Sequence, residues 1–470
     1  MQHYQAVTRN DIEAIHDTSL RILNEVGVVF GQDRARDILA KGGAKIDGQT
    51  VRFPREMIKR ALETVPSSFR LRGREEAFDV EINTRDAIFA SQDGPPFVHD
   101  ADNGRRVGTM EDFKNLAKLC HMMDSISILS FILCEPADVD PRVRDLELLY
   151  NKIKYSSKPQ MGPTLGYEVV KEGLEMAALV FGGAEAMREN PALIGILCTL
   201  SPLCIDDKSC GGIIAYAEYG QPQLISSLCM AGATAPTTLP GAIAVQNAEI
   251  LAGIALAQTV NPGTPIVYSA SGSSTDMRLG SLAVGAPEGA LFSLINGQLA
   301  KYYNIPCRIG GAISDSKCVD AQAGYESMMA MLMAQMAGGN FILHGGGIME
   351  TYNCVSFDKM MVDHEIVGLI KRIGRGVEVN ARTLAFDLIR EVGPQGAYIN
   401  QAHTFKNFRQ EFYQPEISDR NNYDQWVKKG SLRAEERANA RWKNLLAEYQ
   451  EPQLPAEVDR DLRKYIDSRK

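Results

Sequence analysis

Residues 305–350 read IPCRIGGAISDSKCVDAQAGYESMMAMLMAQMAGGNFILHGGGIME, and the order of residue types is that of strand, loop, helix, strand. The apolar run Ile305–Ile309 meets the paired glycines Gly310 and Gly311, and a polar loop follows at Ser314, Asp315, Ser316 and Lys317. A Met- and Ala-rich helical stretch, Gly324–Ala337, leads to a second apolar run at Phe341–Leu343, which ends at His344 and three glycines. Polar and small residues just after each run occupy the end of the strand where an α/β barrel keeps its chemistry.

Six runs of the same kind precede this stretch: Ala87–Ala90, Ile126–Leu133, Pro159–Met161, Leu193–Leu200, Gln223–Leu228 and Pro265–Tyr268. Amphipathic helical patterns lie between most of them, at Met110–Met123, Arg142–Tyr155, Tyr167–Phe181, Lys208–Tyr219, Pro240–Thr259 and Ala286–Tyr303. A parallel strand needs a crossover, so this alternation predicts parallel pairing. Eight units predict closure into a (β/α)8 TIM barrel over residues 86–375, in the α/β class. Residues 1–85 read as an N-terminal α+β cap. A helix over Thr8–Val26, capped by Thr8 or Asn10 and ended by Gly27, is followed by a helix at Asp33–Lys41, a β-ribbon at Ala44–Phe53 and a helix from Pro54 to Val65. Residues 376–470 read as a C-terminal helical extension packed on the barrel, with helices at Asn380–Val392, Ser431–Tyr449 and Ala456–Ser468. Such an extension points to a homo-oligomer.

The chain has 470 residues and a formal charge of −8, which argues against nucleic acid or an acidic membrane as partner. Its nine cysteines form no CxxC pair and many lie in apolar runs, the pattern of reduced thiols in a cytoplasmic protein. The start, MQHYQAVTRNDIEAIHD, lacks the basic and apolar regions of a signal peptide, and no apolar stretch of about twenty residues is expected to span a membrane.

Candidate chemistry gathers on the expected rim. Gly232, Gly310–Gly311 and Gly345–Gly347 fit no phosphate-binding loop; they are either tight turns or openings for a large planar guest. His344 is either a core histidine or a working group of the rim, and it is the one catalytic candidate. His99, His121, His344 and His364 lie in separate units without an HxxxH pair, so no metal is expected. Lys317 pairs with the acidic residues around it, or else forms a Schiff base in a barrel lyase. Phe97, Phe131, Tyr268, Phe357 and Tyr352 fall at expected rim positions, where aromatic faces enclose a cation, although each alone also suits a core. Asp93 and Glu135 are possible complements to that cation, or helix-cap and surface charges. The methionines of the long helix suit core filling.

The segments GGAISDSKCVDAQAGYES and AGGNFILHGGGIMETYNCVSFDKMMVDHEIV resemble the trimethylamine methyltransferase family, the corrinoid-dependent methylamine methyltransferases. LAKLCHMMDSI, SPLCIDDKSC, AEILAGIALAQTVNPGTPIVYSASGSSTDMRLGS and APEGALFS extend the resemblance through nearly the whole chain. The resemblance implies a (β/α)8 barrel that moves a methyl group from an amine to the Co(I) of a corrinoid (a cobalamin) carried by a separate small protein. Trimethylamine-specific members carry pyrrolysine just before the SDxK segment, and that position falls at Ala312 here. The chain therefore resembles the non-pyrrolysine members, whose substrates are quaternary amines such as glycine betaine, proline betaine or carnitine. A quaternary amine leaves as a neutral tertiary amine, so no general acid is required; the site has only to orient one N-methyl group. The implied substrate site is Asp93, Phe97, Phe131, Tyr268, Arg308, His344 and Phe357, with Arg308 a receptor for a substrate carboxylate. The planar guest becomes the corrinoid, with contacts expected at Gly232, Ser271, Gly310, Gly311, Ala312, Ser314, Asp315, Gly345 and Gly346. A non-catalytic betaine-binding protein is the remaining alternative.

Overall fold

The structure, a computed structural model, describes residues 4–470; the first three residues of the expected cap lie outside it. Its centre is a seven-stranded parallel sheet in the order Ile88–Phe89, Phe341–Leu343, Cys307–Gly310, Ile266–Ala270, Gln223–Ser227, Leu193–Cys198 and Gln160–Met161. These are seven of the eight expected runs. The eighth, Ile126–Leu133, forms no strand. It touches both sheet edges through single parallel bridges, Ile128 to Ala90 and Leu129 to Gln160. The reason is local. Ser91 Oγ takes the N–H of Ser130 at 2.9 Å and Asp93 Oδ1 takes that of Ile132 at 2.7 Å. Side-chain oxygens thus replace the carbonyls that a ladder would supply.

Strand alternation sorts the side chains into two sets. Tyr268 and Cys307, paired in register, point outward to the helices: the Tyr268 hydroxyl reaches Asn247 and Asn296, and Cys307 Sγ the carbonyl of Asn296. Their neighbours Ser269 and Arg308, also paired, therefore face the inside of the curled sheet.

The expected helices form, with shifts of a few residues at some ends. Thr8 and Asp11 build the capping box of Arg9–Arg21, and Gly27 closes the turn after it at φ 90°. The helix expected over 380–392 is broken at Ala385, which is left-handed at φ 48°, into Ala381–Leu384 and Phe386–Val392. One helix has the length and apolar composition that the chain was expected to lack. Leu239–Val260 is long and apolar enough to cross a membrane by length and composition, and it is the one such helix among the described residues. It is mostly buried in protein, and its polar side chains are spent inside: Gln246 donates to the carbonyl of Ser227, and Asn247 to the hydroxyls of Ser19 and Tyr303. The N-terminal segment is stitched to the sheet's loops, because Val28–Phe30 pairs in parallel with Cys204–Ile205.

Two buried charges hold the ends of the sheet. Lys359 and Asp363, one turn apart on Phe357–Arg375 and each 1% exposed, pair at 2.7 Å. The ammonium also donates to Ser327 Oγ and the carbonyl of Ala312, while the carboxylate accepts the N–H of Gly347. The loops that follow two adjacent strands are thereby tied to one helix. Glu365, on the same helix, accepts the N–H groups of Glu416, Ile417 and Ser418 and so anchors the C-terminal segment.

Removing one member of a buried pair strands the other charge and costs about 3–5 kcal/mol. Asp363→Ala is expected to destabilise the fold by that amount in denaturant titration. The double change Lys359→Met with Asp363→Leu is expected to recover a large part of the loss.

Candidate active site

Four of the expected substrate residues converge on the inner face of the sheet: Asp93, Phe131, Arg308 and His344. Arg308 is 2% exposed and, among the described residues, has no carboxylate within ion-pair distance. One terminal nitrogen donates to Ser271 Oγ, with a longer contact to the carbonyl of Ala270, and Nε has no partner. Burial pulls the guanidinium below its ordinary value, yet arginine keeps its charge in proteins. The site therefore holds a desolvated cation with an unused donor.

Asp93 is the nearby anion. Its carboxyl is raised to about 6 by loss of solvent, opposed by the N–H of Ile132 and by the charges of Lys152 and Arg308. Lys152 lies wholly buried, with its ammonium 4.8 Å from the ring centre of Phe131 and hydrogen bonds to the carbonyls of Ser130 and Met161. Burial brings it down to about 7. His344 is held well below its ordinary value by burial and by Arg308, so its ring is neutral. Its Nδ1 accepts the N–H of Asp93 at 3.3 Å, which leaves the proton on Nε2 as a free donor. Tyr352 lies over His344 with ring centres 5.1 Å apart. Both residues have left-handed backbones, at φ 64° and 74°, a strained conformation for bulky side chains. Cys198 completes the group beside Arg308 and Asp93.

Three expected aromatics are elsewhere. Tyr268 faces the helices, as strand alternation dictates. Phe97 is covered by the guanidinium of Arg105, 3.6 Å from its ring centre, which in turn pairs with Glu350. Phe357 stacks on Trp442 of the C-terminal extension. Glu135 pairs with Arg144.

The glycine positions divide. Gly232, Ser271 and Gly310 remain partly open. Gly311, Ala312, Ser314, Gly345 and Gly346 are buried, and there the small side chain serves the protein's own packing. A Cβ on Gly311 would meet the carbonyl oxygen of His344 at 2.6 Å, and one on Gly345 that of Ala90 at 2.8 Å. Ser314 bonds to Glu326, and Asp315 gathers the N–H groups of Val284 and Gly285 and the hydroxyl of Thr351. A small pocket of about 40 Å³ adjoins Ser271, Gly310 and Tyr352, which is room for about three waters. Lys317 is exposed, its ammonium on the carbonyl of Asp315, well placed for neither desolvation nor a Schiff base. His99, Asp358 and Glu435 have ligand atoms within 4.8 Å of one another, where the extension meets the first turn of Phe357–Arg375.

The sequence reading passed over Lys152 and Cys198. Lys152 stands three and four residues after Leu149 and Leu148, on the apolar stripe of its helix, and that spacing marks it as buried. Cys198 sits at the end of a strand whose preceding residues are nearly all buried.

A curled, seven-stranded parallel sheet with helical crossovers and a charged inner face defines a mixed α/β fold that keeps its polar groups at the strand ends. The chain belongs to the trimethylamine methyltransferase (MTTB) family, whose model matches residues 1–470. It is 40% identical over 466 residues to the glycine betaine methyltransferase of Desulfitobacterium hafniense (strain Y51), covering 99% of this chain and 97% of that one. It is 31% identical to the proline betaine:corrinoid methyltransferase of Eubacterium limosum, over 98% of this chain and 96% of the relative. The L-carnitine:corrinoid methyltransferase of Eubacterium limosum is 30% identical, over 86% and 85%. The crystal structure of the Methanosarcina barkeri monomethylamine methyltransferase (MtmB) shares the fold, with a TM-score of 0.56 at 12% identity, covering 99% of this chain and 89% of that one.

Arg308→Ala is expected to abolish anion binding at the inner face while leaving the thermal midpoint unchanged or raised, because an unpaired buried charge is removed. Calorimetric titration with an aliphatic carboxylate, together with a melting curve, checks both.

Proposed function

We propose that the protein transfers a methyl group from a zwitterionic quaternary amine, glycine betaine foremost, to the Co(I) corrinoid of a separate carrier protein, leaving dimethylglycine. The observation that carries this is the buried guanidinium of Arg308, with its free Nε, set near the carboxylate of Asp93. The charges of glycine betaine match this pair: its carboxylate satisfies Arg308, and its trimethylammonium group lies toward Asp93 and the faces of Tyr352 and Phe131. Each aromatic contact with a cation is worth roughly 0.5–2 kcal/mol. Proline betaine and carnitine carry the same two charges and are the alternatives. Trimethylamine has no carboxylate and would leave Arg308 unanswered. The names of the relatives with 40% and 31% identity support the same substrate class.

The chemistry supplied by the corrinoid is in-line attack on a methyl carbon. This chain binds and orients the donor and keeps water from it. His344, neutral and carrying its proton on Nε2, is a second donor for the carboxylate. No residue has to deliver a proton, since the amine departs neutral. On this reading residues 86–375 form a (β/α)8 barrel, with Ile126–Leu133 as its irregular eighth member. Residues 1–85 cap it, residues 376–470 extend it, and the enzyme works in the cytoplasm.

The test is a panel of glycine betaine, proline betaine, carnitine and trimethylamine, assayed with the Co(I) carrier protein for release of the demethylated amine. Dimethylglycine is expected to form fastest, and turnover of trimethylamine without any betaine would overturn the reading. Arg308→Lys is expected to raise KM for glycine betaine about tenfold or more, since the forked donor is lost.

A pH dependence follows from Asp93. A bound cation stabilises its ionised form, so the substrate binds that form more tightly. Protonation through about 6 then weakens binding, and KM is expected to rise as pH falls from 7 to 5. Asp93→Asn is expected to flatten that rise.

A further inference from the structure

Three side chains from distant parts of the chain meet where the C-terminal extension crosses the body: His99, Asp358 and Glu435. One potential ligand atom of each lies within 4.8 Å of the other two. Backbone register brings the first two together. His99, on the strand Phe97–Asp100, pairs in parallel with Ser356, the cap of the helix Phe357–Arg375, and Asp358 follows in the first turn of that helix. Side-chain packing brings the third. Trp442, on the helix Ala434–Glu448, stacks on Phe357 with ring centres 5.0 Å apart, and its indole N–H donates to Asp358 Oδ1 at 2.9 Å. Glu435 stands in the first turn of the same helix and reaches the same point.

Acidic residues suit the first turn of a helix, which accounts for each carboxylate by itself. It does not account for two of them facing one imidazole. Asp358 is buried, and Nδ1 of His99 is buried without a hydrogen-bond partner. Among the described residues neither carboxylate takes part in an ion pair. The flanking cations are already engaged, Arg105 by Glu350 and Lys443 by Asp102. The cluster therefore concentrates negative charge beside an unused nitrogen donor, which is the composition of a cation site.

The donor set selects the kind of cation. An imidazole nitrogen with two carboxylate oxygens suits zinc and the neighbouring first-row divalent ions, whereas calcium and magnesium take oxygen-only sets. Zinc holds such atoms at about 2.0–2.2 Å, so that its ligands stand about 3.4 Å apart around a tetrahedron. Glu435, whose side chain is only partly buried, closes that gap by rotation. The surroundings of Asp358 are those of a metal ligand. Trp442 holds one oxygen, the N–H of Ala101 holds the other at 2.7 Å, and each oxygen keeps a lone pair. Spacing along the chain argues against a metal, but spacing detects only ligands that share an element, and these come from three.

We propose that His99, Asp358 and Glu435 bind one divalent cation of the zinc class, which clasps the C-terminal extension to the body. The clasp is independent of the methyl-transfer reading, and its test needs neither substrate nor carrier.

The untagged full-length chain, stripped with a chelator and with its exposed thiols alkylated, is titrated with zinc against a chromophoric competitor. One equivalent is expected to bind, and zinc is expected to raise the thermal midpoint. His99→Gln and Glu435→Gln are each expected to weaken that binding roughly tenfold or more and to abolish the rise. Cobalt(II) in place of zinc is expected to give the visible spectrum of a nitrogen–oxygen site, without a sulfur charge-transfer band. Absence of zinc binding, binding that is equal in the variants and the wild-type chain, or a sulfur band in the cobalt spectrum overturns the proposal. If His99→Gln does not fold, Glu435→Gln at the partly exposed position decides by the same titration.

Discussion

A guanidinium buried without a carboxylate partner is the constraint to which the rest of the inner face answers. Arg308 stands in register with Ser269 and points away from the helices because Cys307 and Tyr268 point toward them. The neighbouring groups are arranged so that its charge stays distinct. His344 is kept neutral by burial and by Arg308 itself. Lys152 is brought down to about 7 and capped by two carbonyls. Asp93 accepts the N–H of Ile132 on one carboxylate oxygen. The result is a pair of opposite charges, Arg308 and Asp93, on the inner face of the curled sheet. Desolvation of an unpaired charge is unfavourable.

The frame around this pair is built from other buried polar groups. Lys359 and Asp363 secure the loops after two adjacent strands, and Asp93 doubles as the clamp that holds Phe131 and Ile132 against the opening. The left-handed backbones at His344 and Tyr352 are sustained by that frame. Strain of this kind persists where the surroundings over-determine the backbone, and it aims two rings at one place. The glycines beside them allow backbone to meet backbone, as at Gly311 and Gly345.

Much of the fold was legible along the chain. Periodicity located seven of the eight runs and nearly every helix, because burial imposes spacing on the residues that make each element. The run at 126–133 looked like a strand because its residues are apolar; whether the backbone donors find carbonyls or side-chain oxygens depends on Ser91 and Asp93, nearly forty residues away. Leu239–Val260 shows the same limit. Its apolar composition alone does not distinguish lipid from a protein interior; the partners of Gln246 and Asn247 do.

The sequence by itself determined the class, the parallel sheet and the strand ends that carry Arg308 and His344, since strand ends, small residues and polar loops are local features of the chain. It also determined the family, through blocks of residues spread from end to end. Tertiary structure decided which of the named side chains meet. It brought Arg308, His344, Asp93 and Phe131 together and sent Phe97, Tyr268 and Phe357 to other partners. It also left Gly376–Phe412 without a core of its own. The physical reason is that facing, pairing and burial are set by register and by neighbours distant in sequence. No residue carries that information alone.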